Sequence, residues 1–216
     1  MKEAYFTEDA TDAALAGLTT GLAEAARGPA FDVTTAALLV LDMQAYFLDP
    51  GSHAFVPSAP AIVPVIERLA RAMRAAGRPV IATRHVNAPP EAGMMGRWWR
   101  DLVAPGSEAS RIEPRLEKPA TRVIDKGRYD AFHATDLAPL LEAEGVRQVV
   151  VTGVLTHLCV ETTARSAFVR DYAVFLPADA TATYTREFHR ASLLNLAHGV
   201  ARIVTARDIG GPGGTT

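Results

Sequence analysis

The sequence predicts an α/β fold: a three-layer, doubly wound sheet of about six mainly parallel strands in a single domain. Three observations carry this. Short, continuously apolar runs recur along the chain, as strands buried on both faces require. Between them lie segments in which apolar residues repeat at helical spacing and a glycine follows the last turn. Three polar residues, Asp42, Lys126 and Cys159, fall just beyond such runs, at the sheet edge where doubly wound folds bind ligands.

In chain order, residues 8–27 are Ala-rich and read as an N-terminal helix whose partner the sequence does not reveal. The run 36–41 is a first buried strand, ending at Asp42. Past Pro50 and Gly51, residues 59–76 place Ile62, Val63, Val65, Ile66, Leu69, Ala70 and Met73 at helical spacing, closed by Gly77. Residues 79–83 form strand two. Residues 87–120 are rich in Pro, Gly and Trp without clear periodicity, and a loop this long is usually functional or a lid. Strand three, 122–125, ends at Lys126. Thr135 is the expected N-cap of a helix over 136–144, stopped by Gly145. Strand four, 148–152, leads into a helix with Val160, Ala164, Ala167 and Phe168 on one face. Strand five covers 173–176, a helix 185–197 stops at Gly199, and strand six covers 201–205. The tail 210–216 should be disordered. The expected organisation is an N-terminal helical extension (1–34), one folded domain (35–209) and that tail; there is no internal repeat.

The 216 residues are 49% hydrophobic and 21% charged, ordinary globular values that allow a sizeable core. A formal net charge of −2 gives no electrostatic case for nucleic acid or an anionic membrane. No apolar run approaches the roughly 20 residues of a membrane helix. The first nine residues carry acids and no apolar core, unlike a secretory signal. One cysteine excludes an intrachain disulfide and fits a reducing compartment. These features predict a soluble cytoplasmic protein whose partner is a small-molecule substrate, with no nucleic acid and no membrane.

Cys159 is the lead for chemistry. It sits where a strand gives way to a helix, and the first N–H groups of a helix favour a thiolate. Asp42 could accept the thiol proton and Lys126 could stabilise the resulting anion. The backbone N–H of Cys159, with another from the Leu155–Thr156 turn, could hold an oxyanion. Each residue also has a plain structural reading: a buried small apolar group for the thiol, a cap for the aspartate, a solvated surface residue for the lysine. Their shared position at strand ends favours the chemical reading.

Three segments then resemble the isochorismatase-like cysteine hydrolases: Leu39-Val40-Leu41-Asp42-Met43-Gln44 with Phe47, Lys126-Gly127-Arg128-Tyr129-Asp130-Ala131-Phe132, and Thr152-Gly153-Val154-Leu155-Thr156-His157-Leu158-Cys159-Val160 with Thr162-Thr163-Ala164-Arg165. Asp179-Ala180 is a weaker match. The similarity spans roughly residues 35–209, in the family's order and spacing. It implies a Rossmann-like topology, a catalytic triad of Asp42, Lys126 and Cys159, oxyanion N–H groups from Leu155 and Cys159, and a cis peptide at Val154–Leu155. It also implies a homo-oligomer, a dimer or tetramer.

Members of that family include nicotinamidases, carbamoyl and ureido amidohydrolases, and isochorismatases that cleave a vinyl ether. Nicotinamidases typically carry a metal-binding Asp-x-His after strand two, where this chain reads Arg84-His85-Val86-Asn87, so no metal or other cofactor is expected. Isochorismatases usually have glycine in place of the nucleophile, so Cys159 favours amide cleavage through a thioester. The alternatives are vinyl ether hydrolysis, which the Lys126–Phe132 segment and His157 also suit, and a non-catalytic binding or redox-sensing role. The expected substrate pocket comprises Gln44, Phe47, Trp98, Trp99, Tyr129, Phe132, Thr156 and His157, while His189 and His198 are expected to be structural.

Overall fold

Ala36–Leu41 forms β1, and all six of its residues are buried, as its unbroken apolar run demands. The computed structural model describes residues 2–7, 11–22, 28–89 and 91–210. The other strands are β2 (Val80–His85), β3 (Arg122–Lys126), β4 (Gln148–Val154), β5 (Ala173–Pro177), β6 (Thr181–Ala182) and β7 (Ala201–Val204). They form one parallel sheet in the order β3-β2-β1-β4-β5-β7, with β6 added to the end of β4. The six expected strands are present with ends shifted by a residue or two. β6 was missed because two residues carry no periodicity.

The order of strands reverses between β1 and β4. The chain builds outward from β1 through β2 to β3, then returns to lay β4 on the other side of β1. At this switch Leu41 pairs with Gly153. Gly153 has φ of +103°, and a Cβ there would lie 2.1 Å from the Leu41 carbonyl oxygen, so only glycine allows the approach.

Helices cover the sheet. Ala59–Ala75 buries Ile62, Val63, Val65, Ile66, Leu69, Ala70 and Met73, the stripe its spacing predicts. Ser58 stands at its N-cap position, yet its side chain makes no cap bond. Its hydroxyl oxygen instead accepts from the backbone N–H of Tyr5 and Phe6, at 3.0 and 3.1 Å. The expected 185–197 helix is Arg186–Gly199, with Thr185 as its N-cap, the Thr185 hydroxyl accepting from Phe188 N–H at 3.1 Å. The predicted 136–144 helix is Leu137–Ala143, and its N-cap is Asp136, with Thr135 Oγ1 accepting from Leu137 N–H at 3.3 Å. None of the described helices is long and apolar enough to cross a membrane.

The N-terminal helix is Thr11–Thr19, shorter than its Ala-rich composition suggested; residues 8–10 and 23–27 of that expectation lie outside the described residues. The start of the chain packs into the body of the protein. Phe6 and Leu18 are buried in the core. The Tyr5 hydroxyl accepts from Thr183 N–H at 2.8 Å and pairs with His189 Nδ1 at 3.0 Å. His189 Nε2 meets Thr181 Oγ1 at 3.1 Å, so this histidine is a satisfied core residue as expected. At the other end, Ala206–Gly210 forms a last short helix, its first N–H bonded to Asp179 Oδ1 at 2.8 Å. Residues 211–216 of the expected tail lie outside the described residues.

Candidate active site

Four adjacent strands deliver one polar side chain each to the same end of the sheet. Lys126 closes β3, His85 closes β2, Asp42 follows β1, and Cys159 follows β4. All four are buried, although β3 itself is an edge strand exposed along most of its length. Asp42 turns into the left-handed region at φ +54°, a conformation aspartate tolerates better than most residues. The Thr83 hydroxyl donates to its Oδ1 at 2.6 Å. Its Oδ2 lies 2.7 Å from Lys126 Nζ, with both side chains sealed from solvent. Lys126 Nζ in turn donates to Cys159 Sγ at 3.4 Å and to the Arg128 carbonyl at 2.9 Å.

After β4 the chain does not enter an α-helix directly. The Val154–Leu155 peptide is cis, and Thr156–Val160 forms a π-helical turn before the α-helix Glu161–Phe168. Val160 N–H reaches back to the Leu155 carbonyl at 3.2 Å, the i to i−5 bond of that geometry. Such turns mark functional segments more often than chance, and this one carries Cys159.

Charge in this cluster is settled by its neighbours. Burial works against ionising Asp42, but the Lys126 ammonium, then His85 and the Cys159 hydrogen bond, hold its carboxyl below the usual carboxylate range. Burial likewise works against Lys126, and Asp42 and Cys159 more than offset it, raising its pKa. The thiol behaves differently from expectation. Burial and then the Asp42 carboxylate push Cys159 well up, against the pull of Lys126. One buried cation neutralises one buried anion, and the carboxylate is the anion. The resting cysteine is therefore a neutral thiol beside an ionised aspartate, and no helix terminus overrides that.

A cavity of about 150 Å³ opens above Cys159, a size that takes up a benzene-sized molecule. Of the eight expected pocket residues, Phe47, Trp99 and Tyr129 line it. Trp99 Nε1 donates to the Tyr129 hydroxyl at 2.6 Å. The other five lie elsewhere. Gln44 is fully buried beneath the site, clamping the backbone of His85 and the Ser110 carbonyl. Trp98 is 74% exposed, because the single turn Met95–Trp98 sends consecutive tryptophans in different directions. Phe132 packs on Tyr172 at 6.0 Å with Arg170 over its face. Thr156 is buried, with its hydroxyl unpaired among the described residues. His157 stacks on Phe188 at 4.6 Å and bonds Thr183. Proximity in sequence to a motif did not decide which side of the backbone each residue faces.

Leu155, Leu158 and Cys159 of the third motif segment also line the cavity, and most of the rest comes from segments without a motif. Tyr46, His53 and Ala54 enter from the stretch after β1, Asn87, Met95 and Arg100 to Val103 from the long segment after β2, and Tyr184 from beyond β6. The irregular 87–120 stretch does roof the site, as its length suggested. His53 Nδ1 pairs with Asp101 at 3.0 Å and its Nε2 meets the Tyr46 hydroxyl at 3.3 Å. Both its ring nitrogens are thus engaged. Among the described residues, Asp42, His85 and Cys159 are the one group of potential metal ligands close together, within 4.8 Å. The Lys126 ammonium already touches two of the three, so the cluster does not suit a metal cation.

The sequence model of the Isochorismatase domain matches residues 36–208. The chain belongs to the isochorismatase family. Nicotinamidase 3 of Arabidopsis thaliana is 40% identical over 174 residues, covering 78% of this chain and 84% of that protein. Enterobactin synthase component B of Escherichia coli K12 is 31% identical over 186 residues; the match covers 83% of this chain but 64% of that protein. Ureidoacrylate amidohydrolase RutB of Methylobacterium radiotolerans is 35% identical over 195 residues, covering 77% and 75%. Among solved structures, a cysteine hydrolase from Pseudomonas syringae pv. phaseolicola 1448A superposes with a TM-score of 0.79 at 28% identity, over 85% of this chain and 93% of that one. The doubly wound isochorismatase-family sheet predicted from the sequence is the fold of the chain.

Proposed function

We propose that this protein is a metal-independent cysteine amidohydrolase that cleaves a small amide, carbamoyl, ureido or lactam C–N bond. One observation carries the reading: a buried thiol in contact with an ion-paired lysine and aspartate, at the floor of a small, largely aromatic cavity. The nicotinamidase and ureidoacrylate amidohydrolase relatives support the C–N bond as the target.

Asp42 takes the proton of Cys159 as Sγ attacks the carbonyl carbon, so the negative charge stays next to Lys126. The tetrahedral oxyanion is received by the N–H groups of Leu155 and Cys159. The C–N bond then breaks and ammonia or an amine leaves with the proton held by Asp42. Water attacks the thioester, giving its proton to Asp42, and collapse returns the thiol and releases the acid. Because the resting thiol is neutral, nucleophile formation waits for a bound electrophile, which protects the cysteine from incidental oxidation. The single buried thiol also supports a reducing, cytoplasmic setting, and the family resemblance supports a homo-oligomer.

The test is trapping. Incubation with a slow amide or a thiol-directed inhibitor should add one acyl or inhibitor mass on Cys159 by mass spectrometry, and Cys159→Ala should abolish ammonia release while leaving the melting temperature nearly unchanged. Full turnover of the amide by Cys159→Ala would end the nucleophilic reading.

A further inference from the structure

Lys2 lies outside residues 36–208, the stretch that the family model matches, and it has no task in the reaction above. A lysine is ordinarily a solvated surface residue. This one converges on three groups of the protein. Its ammonium donates to the His53 carbonyl and, at 2.8 Å, to the Phe55 carbonyl, and it lies 4.4 Å from the centre of the Tyr184 ring. Two carbonyls and an aromatic face together occupy the three donors of an ammonium.

The groups it holds belong to the cavity. His53, Ala54 and Tyr184 line it, from two segments far apart in sequence. Those segments share a direct bond from the Tyr184 hydroxyl to the Ala54 carbonyl, but at 3.3 Å it is long for an O–H donor. Lys2 adds a second link between the same two segments, and its own backbone is fixed in turn. The Glu3 N–H donates to the Tyr184 carbonyl at 2.8 Å, Glu3 Oε2 accepts from the Arg186 N–H at 3.0 Å, and Phe6 is buried in the core. A side chain mounted on a fixed backbone can fix others. His53 passes the constraint to the roof through its pair with Asp101.

We propose that Lys2 is a positioning residue that sets the width of the cavity. By tying Tyr184 to the 53–55 backbone it keeps that wall closed around an occupant of single-ring size, so residues 2–6 take part in selecting the substrate by size. The inference rests on the reading of this cavity as the place where the amide binds. Lys2 does not line the cavity and acts only through Tyr184 and His53. A purely structural role predicts something different: loss of the ammonium would then loosen the fold as a whole and admit reagents of every size alike.

Cys159 is the chain's single cysteine, so labelling rates read by mass spectrometry report access to the cavity floor at one site. Iodoacetamide is small enough for a benzene-sized space, whereas N-phenylmaleimide, with two rings, exceeds it. Each reagent is compared with itself across variants, which cancels its intrinsic reactivity. Lys2→Met should speed N-phenylmaleimide labelling about threefold or more, with iodoacetamide changed by less than about twofold and the melting temperature nearly unchanged. Lys2→Arg, which keeps a cation and donors, should label as the wild type does. Equal acceleration of both reagents, acceleration of neither, or Lys2→Arg behaving as Lys2→Met does, would overturn the proposal alone. Wild-type Cys159 that neither reagent labels would refute the cavity as the route to the thiol, and the amidohydrolase reading and this inference would fall together. Absence of ammonia release from every amide, with the labelling pattern as expected, would sink that reading and keep the hold of Lys2 on the wall.

Discussion

The floor and the roof of the cavity are built by different means. The floor is four strand ends, and its side chains are held by sheet register: Leu41 opposite Gly153, His85 opposite Lys126. The roof comes from irregular segments, tied by a Trp99–Tyr129 hydrogen bond and a partly exposed His53–Asp101 pair. A floor set by register can hold reacting groups to a few tenths of an ångström, because moving one means moving a strand. A roof set by side-chain contacts can change its lining without disturbing the sheet. The chemistry should therefore be intolerant of substitution and the substrate preference adjustable.

The most severe break of the floor is Gly153→Ala. A methyl group there would meet the Leu41 carbonyl at 2.1 Å in a backbone conformation that disfavours alanine, so β1 and β4 must separate. We expect loss of soluble, folded protein, read by expression and circular dichroism. Lys126→Met comes next. It strands the Asp42 carboxylate in the core, and removing one partner of a buried pair costs about 3–5 kcal/mol, measurable in denaturant melts, together with loss of activity. The roof should respond far less. Trp99→Phe removes only a partly exposed hydrogen bond, a cost of about 0.5–1.5 kcal/mol; we expect KM to rise by a few-fold with kcat largely kept. If kcat fell as far as in Lys126→Met, the division between floor and roof would be wrong.

Acid sharpens the same contrast by the smallest increment. Burial first of all holds His189 down to about 3, and His85 lies at about 4, so both are neutral in the fold. The unfolded chain takes up protons at both below its ordinary value of about 6.5, so stability should decline as pH falls from there toward 3 to 4. His189→Gln should flatten that decline in a calorimetric pH series.

Much of the floor was legible because its signals are strong and local. An apolar run buried on both faces has few other readings, and a polar residue directly after it must lie at the sheet's edge. Lys126 was harder: β3 is exposed along most of its length, and nothing in Arg122–Lys126 says that its last side chain is the buried one. The thiol's ionisation could not be read either, since it depends on which of two buried groups keeps the negative charge. In the roof, residues were chosen for standing next to motifs. Gln44 and Phe132 stand there, but one holds the backbone from below and the other packs beneath Arg170. Tyr184 and Asp101 reach the cavity from segments with no pattern to flag them.

Ser58 carries a practical consequence for anyone trimming this chain. Its hydroxyl serves Tyr5 and Phe6 in place of its own helix, while Lys2 donates to the carbonyls of His53 and Phe55, at the cavity's rim. A minimal version cut to the 36–208 family match would uncover the seats of Phe6 and Leu18 and leave the His53 loop without its brace. The first residues are a buttress, and affinity tags are better placed at the other terminus.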